Sequence, residues 1–205
     1  MRALRMSLAV GALALAACSQ RAAENEDDTS NATAQALASI GNSAVNAADS
    51  VKDALARTPN GQDFANIAAR SDAFEIAAAK LAGVDAAATG VKAFAREMIA
   101  AHTKSSAAIK AAAGRAQPTI TPDPTLTDEQ MQKLADLGHL KGAAFDRAYL
   151  AGQIDAHERA LALMKDYARH GDTGALKQAA SETAPVVTKH LARAKALDAA
   201  RRADD

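Results

Sequence analysis

From Asp63 to Ala200 the chain keeps one period. Apolar residues recur every three or four positions through four runs of 24 to 28 residues. That spacing is the 3.6-residue repeat of an amphipathic helix, not the two-residue alternation of a half-buried strand. Alanine carries most of the apolar face: hydrophobic residues make up 49% of the 205, yet aromatics are 3% and tryptophan is absent. Alanine favours helix and fills little core volume, so helices faced with it can approach closely, and the sparse β-branched and aromatic residues leave sheet without support.

The runs have readable ends. The first, Asp63 to Ala86, carries Phe64, Ile67, Phe74, Ala78 and Leu81; the second, Gly90 to Ala113, carries Val91, Ala95, Met98, His102, Ser105 and Ile109. Gly114 stops the second, and the proline-rich Gln117 to Pro124 cannot be helical. Thr127 with Gln130 forms a capping box, predicting a short helix to about Leu137. A third run, Gly142 to Arg169, ends at His170 and Gly171; a fourth, Thr173 to Ala200, repeats Leu176, Ala180, Thr183, Val187, His190, Ala194 and Leu197, with Pro185 expected to bend it locally. The expected fold is all-α: a four-helix bundle over residues 62–200, a short extra helix between the second and third long helices, and a tail at 201–205.

The amino terminus reads as an address. Arg2 and Arg5 precede an apolar run, Met6 to Ala17, too short to span a bilayer, and Leu15-Ala-Ala-Cys18 looks like a bacterial lipobox. On that reading residues 1–17 are a lipoprotein signal peptide, Cys18 is lipidated, and the chain meets the membrane through it. Ser19 favours the outer membrane, facing the periplasm. Residues 18–61 would be a tether, with a weak amphipathic helix at Ala32 to Ala56 carried by Leu37, Ile40, Ala44, Val51 and Leu55. Cys18 is the chain's one cysteine, so no internal disulfide can form. Without Arg2 and Arg5 the formal net charge is near −2, which offers nothing to nucleic acid.

One feature departs from the apolar pattern. His157 occupies the stripe of Leu150, Ile154, Leu161 and Met164, where leucine is expected, and His102 and His190 do the same on the second and fourth long helices. Glu75 lies beside Phe74 at the edge of the first helix's stripe. At 1.5 Å per residue, all four fall within about 7 Å of one another along the axis if neighbours are antiparallel, and spread to about 10 Å if the long connection makes the second and third long helices parallel. Three imidazoles and a carboxylate meeting in a dry layer suit one transition-metal ion, Zn, Fe or Cu. Met98, one turn before His102, would favour copper; Met164 reads as core. A shared ion needs ring nitrogens of different helices about 3 to 4 Å apart. The alternative is a purely structural polar layer, with the rings bonded to Glu75, Thr183, Gln153 or Tyr149. His139 falls in a linker and His170 in a last turn, where its charge suits the helix dipole. Asp146 reads as a helix-start or salt-bridge residue, Asp155 and Glu158 as solvated. No phosphate-binding glycine loop, HExxH or GxSxG pattern is present.

The segments around these residues resemble a known family. FEIAAAKLA (Phe74 to Ala82), VKAFAREMIAAHTK (Val91 to Lys104), GAAFDRAYL (Gly142 to Leu150), DAHE (Asp155 to Glu158) and KHL (Lys189 to Leu191) look like the domain-of-unknown-function 4142 family of bacterial envelope proteins, over about Asp63 to Leu197. The resemblance implies a ferritin-like helical bundle and an envelope location, and no settled activity. Di-iron proteins of that fold place Glu-x-x-His pairs on two helices; this chain has none, so a mononuclear or empty site is the expectation, with Glu75, His102, His157 and His190 as the positions carried over. A non-catalytic envelope or stress-associated interaction protein is the alternative.

Overall fold

A computed structural model describes residues 58–204. The expected signal peptide at 1–17, the Cys18 acylation site, the Ala32 to Ala56 helix and nearly all of the 18–61 tether lie outside the described residues. The described chain is helical throughout, without strands: α1 (Gly61–Asp85), α2 (Thr89–Ala113), α3 (Asp128–Gly138), α4 (Gly142–His170) and α5 (Gly174–Asp204). Among these residues no helix is long and apolar enough to cross a membrane.

Local chemistry sets the ends. The Asn60 side chain accepts from the Asp63 backbone N–H at the start of α1, and Thr127 and Gln130 close the predicted capping box on α3. The α2 N-cap, Ala88, has no capping side chain of its own. Asp146 of α4 takes its place: the buried carboxylate accepts from Ala87 N at 3.0 Å and Ala88 N at 2.9 Å. Its helix-start role is therefore exercised on a neighbouring helix. α5 continues past the expected boundary at Ala200, because Arg201 and Arg202 pair with Asp198 one turn back and their charge suits the helix C-terminus. Pro185 lies within α5 without ending it; Pro185 and Ser181, whose carbonyl loses its helical donor, are both exposed to water.

The long helices pack as α1 on α2 and α4 on α5, closed by α2 against α5 and α1 against α4, with α3 resting on α1 and α4. Two apolar clusters fix their directions. One joins Ala82, Val91, Phe145 and Ala194; the other joins Phe64, Ile109, Tyr167 and Leu176. So α1 and α5 run one way, α2 and α4 the other, and the α2–α4 connection must return along the length of the helices. It does so along α1: Gln62 donates to the Thr121 carbonyl, Asn66 accepts from Asp123 N, and Arg70 donates to the Thr125 carbonyl. These three sit four residues apart, one partly exposed stripe of α1.

The buried face of α1 differs from expectation. Phe64 and Ala78 are buried as expected, but the stripe runs Phe64, Ala68, Asp72, Glu75, Ala79 and Ala82, while Ile67, Phe74 and Leu81 are only partly covered or exposed. Alanines let α1 lie close to its neighbours, and the larger side chains turn toward the gap beneath α3, where Ile67 and Phe74 line a cavity.

At the other end of the helices Phe64 stacks on Tyr167 with ring centroids 3.8 Å apart, and the Tyr167 hydroxyl donates to Asp172 at 2.8 Å. Gly171 sits tightly here: a Cβ would lie 2.6 Å from both the Tyr167 carbonyl oxygen and its ring. Because backbone cannot yield as a flexible side chain can, Gly171→Ala is expected to destabilise the protein by roughly 1–3 kcal/mol, read by urea unfolding. Unchanged stability would show that this turn relaxes freely.

Candidate metal centre

Between the two apolar clusters the core turns polar. His102 of α2, His157 of α4 and His190 of α5 converge there, with ring centroids 5.5 to 6.0 Å apart. One nitrogen from each ring lies within 4.8 Å of the others. His157 and His190 are buried and His102 nearly so.

The orientation of two rings follows from their outer bonds. His102 Nδ1 lies 2.7 Å from Asp72 Oδ1, and His157 Nδ1 lies 2.8 Å from the Gln153 carbonyl oxygen one turn back. A carboxylate and a carbonyl accept, so in the neutral form of both rings Nδ1 carries the proton and Nε2 has the lone pair. Asp72 is itself held, accepting from Ser106 Oγ at 3.1 Å, so one α1 carboxylate aligns two α2 side chains a turn apart. The inner atoms have nothing to bind: His102 Nε2, His157 Nε2 and His190 Nδ1 are buried without a hydrogen-bond partner. The outer bonds of His102 and His157 to neighbouring residues are of the kind a structural layer makes, but the inner nitrogens are left over.

Charge is divided unevenly. Burial lowers His102, but the Asp72 hydrogen bond and the nearby Glu75 and Asp72 charges outweigh it, leaving the ring more basic than an ordinary histidine. His157 is pushed down to about 4 by burial and by the charge on His102, with the Gln153 carbonyl opposing. His190 falls to about 4 through burial and the other two rings. Two of the three imidazoles are thus neutral near pH 7, the form that ligates metal.

Glu75 is buried on the same face of α1 as Asp72 but does not join the convergent group; it accepts from the Gln153 side-chain amide. Burial raises its carboxyl above the usual range, against the opposing pull of His102 and Gln153. Met98 is fully buried in the apolar cluster with Phe94 and Tyr149, and Met164 lies in the other cluster, as expected. His139 is exposed, His170 pairs with Asp166, Asp155 with Arg159, and Glu158 with Lys195, and none of them joins the convergent group.

Asp72 is the residue the apolar-stripe reading missed. It sits between Ser71 and Ala73 with no large apolar neighbour, and only the alanine spacing of Phe64, Ala68, Asp72, Glu75 and Ala79 marks its face as buried. Three points no more than 4.8 Å apart share a centre about 2.8 Å from each, so ring shifts of roughly 0.7 Å bring all three nitrogens to the 2.0–2.1 Å of a metal–imidazole bond. Imidazoles whose far nitrogen donates to a carboxylate or backbone carbonyl are the usual arrangement around such ions.

Fold and centre together define a helical protein with three buried imidazoles facing a common point. The chain belongs to the family described as a domain of unknown function (DUF4142), whose profile matches residues 46–197. No curated protein and no solved structure matches it.

Proposed function

We propose that this protein binds one first-row transition-metal ion, Zn, Cu or Fe, through His102, His157 and His190, within a ferritin-like four-helix bundle held at the outer membrane by a lipid on Cys18. The observation that carries the metal reading is the set of three partnerless, buried ring nitrogens at one point. Each costs roughly 1–3 kcal/mol while unsatisfied, and one ion relieves all three. Asp72 and the Gln153 carbonyl fix two of the rings from behind. Glu75, whose charge acts on His102, would supply compensating negative charge beside the ion. The bundle is supported by the parallel course of α2 and α4 and by the returning connection that carries α3. The anchor is supported by the Leu15 to Cys18 motif alone.

Metal analysis after loading the full chain, purified without a His tag, tests the reading; one equivalent of Zn or Cu is the expected result, and no uptake of either ends it. The ionisation pattern adds a sharper expectation. His102, raised above its ordinary value, is the most basic of the three rings, whereas His157 and His190, at about 4, are neutral at pH 6.5. Zinc must therefore displace no more than one proton from the rings at pH 6.5, and its affinity must climb with pH until His102 has lost that proton. Calorimetry in buffers of different ionisation enthalpy measures the count. Release of clearly more than one proton would mean that His157 or His190 is also protonated at this pH.

A further inference from the structure

The three inner ring nitrogens have essentially no surface open to water. The cavity beneath α3 touches the rings of His102 and His190, yet water placed in it does not reach their free nitrogens. This closure bears on which ion the centre suits.

A zinc ion takes four ligands, and where the protein supplies three a water fills the fourth position. In a tetrahedron with metal–ligand distances of about 2.0 Å, that water lies about 3.3 Å from each ligand nitrogen, in contact with all three. Water has essentially no access to any of them. The protein does not supply a fourth donor either. Among the described residues no carboxylate, thiol or further imidazole joins His102, His157 and His190. Asp72 sits behind His102 on its outer nitrogen, and Glu75 accepts from Gln153. On α4 the Tyr149 hydroxyl and Gln153 Oε1, buried and unbonded, are neutral oxygens and weak metal ligands, and Arg159 is a cation paired with Asp155.

The divalent ions therefore fit poorly. Copper(II) and nickel(II) favour square or tetragonal donor sets, and iron(II) and manganese(II) favour sets that include carboxylate or water oxygens. Copper(I), with a filled d shell and a single charge, requires neither a square plane nor a fourth donor. Because the cost of burying an ion scales with the square of its charge, a monocation costs about a quarter of what a dication of the same size does in this dry layer. We infer that the centre is a three-coordinate copper(I) site that holds the same metal much less tightly as copper(II). The inference rests on the metal reading above and adds to it the ion's identity and oxidation state.

The test uses the full chain made without its lipid and carrying Cys18→Ser, because a free thiol would itself take copper(I). Copper is offered anaerobically with ascorbate against a coloured copper(I) chelator, and separately as copper(II) against glycine. One equivalent of copper(I), held at least a thousandfold more tightly than copper(II), is the expected result. At 59 mV per tenfold, that ratio places the bound couple about 180 mV above that of free copper ions. X-ray absorption should show three nitrogen ligands and no fourth. His157→Leu, which leaves two ligands, should weaken copper(I) at least a hundredfold while keeping its helix content by circular dichroism. Copper(II) bound as tightly as copper(I), a fourth ligand on copper(I), or unchanged copper(I) affinity in His157→Leu would overturn the inference, and zinc uptake by the same protein would still uphold the metal reading. No uptake of zinc or of copper in either state would remove both.

Discussion

Zinc titrated into the His157→Leu protein is expected to bind at least a hundredfold more weakly than into the parent chain, and the metal-free variant is expected to be more stable than its parent. Both outcomes come from one atom. His157 Nε2 is the ligand nitrogen and is also a buried acceptor without a donor. Removing it takes one of three ligands from the ion, a larger loss than the ten- to hundredfold that follows from removing an outer hydrogen-bond partner. It also removes a desolvation cost of roughly 1–3 kcal/mol from the metal-free fold. The Gln153 carbonyl that accepted from Nδ1 lies one helical turn before residue 157 and keeps its backbone partner inside α4. In the parent, zinc at a hundred times its Kd should stabilise the fold by about 2.7 kcal/mol, on the order of 8 °C in Tm for a domain of this size. The variant should show no such shift. If His157→Leu instead lowers the metal-free Tm while the parent ignores zinc, the layer is structural and the metal proposal falls. Asp72→Asn separates ligation from orientation, since it leaves all three rings in place but swaps the acceptor behind His102. Its zinc affinity should drop ten- to hundredfold.

The largest stability loss is expected away from the histidines, at Asp146→Ala. This carboxylate is buried on α4 yet caps α2, taking two backbone N–H groups that have no capping side chain of their own. Hydrogen bonds to a charged acceptor contribute about 1.5–3 kcal/mol each, and the carboxylate also faces the positive end of the α2 dipole. A loss of about 3–4 kcal/mol in urea unfolding is expected, with an unchanged m-value. Asp146→Asn should recover part of it, since an amide oxygen can still accept. The parallel bridge between Ala86 and Gly142 holds the same corner, so a loss below about 0.5 kcal/mol would mean backbone pairing alone secures the α1–α2 turn.

How far the site could be read in advance varied from residue to residue. The rings of His102, His157 and His190 were marked by a break in pattern, a polar side chain where leucine belongs, and such a break stays visible whatever the helices pack against. Glu75 was placed at the edge of a stripe drawn through Ile67, Phe74 and Leu81, whereas α1 buries its alanines and turns those larger residues toward α3. Asp72 was missed for the same reason. On α4 the buried face centres on Tyr149, Gln153 and His157, slightly turned from the Leu150, Ile154 and Leu161 stripe, because Tyr149 and Gln153 reach inward while Ile154 and Leu161 are only partly covered.

What the sequence determined by itself was local: which segments are helices, where they stop, which faces are broadly apolar and which of them carry histidine. Period, caps and breakers act within a few residues and need no partner. What only the tertiary structure decided was relational. A connection of 28 residues, 114–141, is long enough to lead α4 either way along the other helices, and its choice rests on the Gln62, Asn66 and Arg70 bonds along α1. The pairing of Asp72 with His102, the partnerless inner nitrogens and the gap beneath α3 are likewise contacts between residues tens of positions apart, fixed by how alanine faces close on one another.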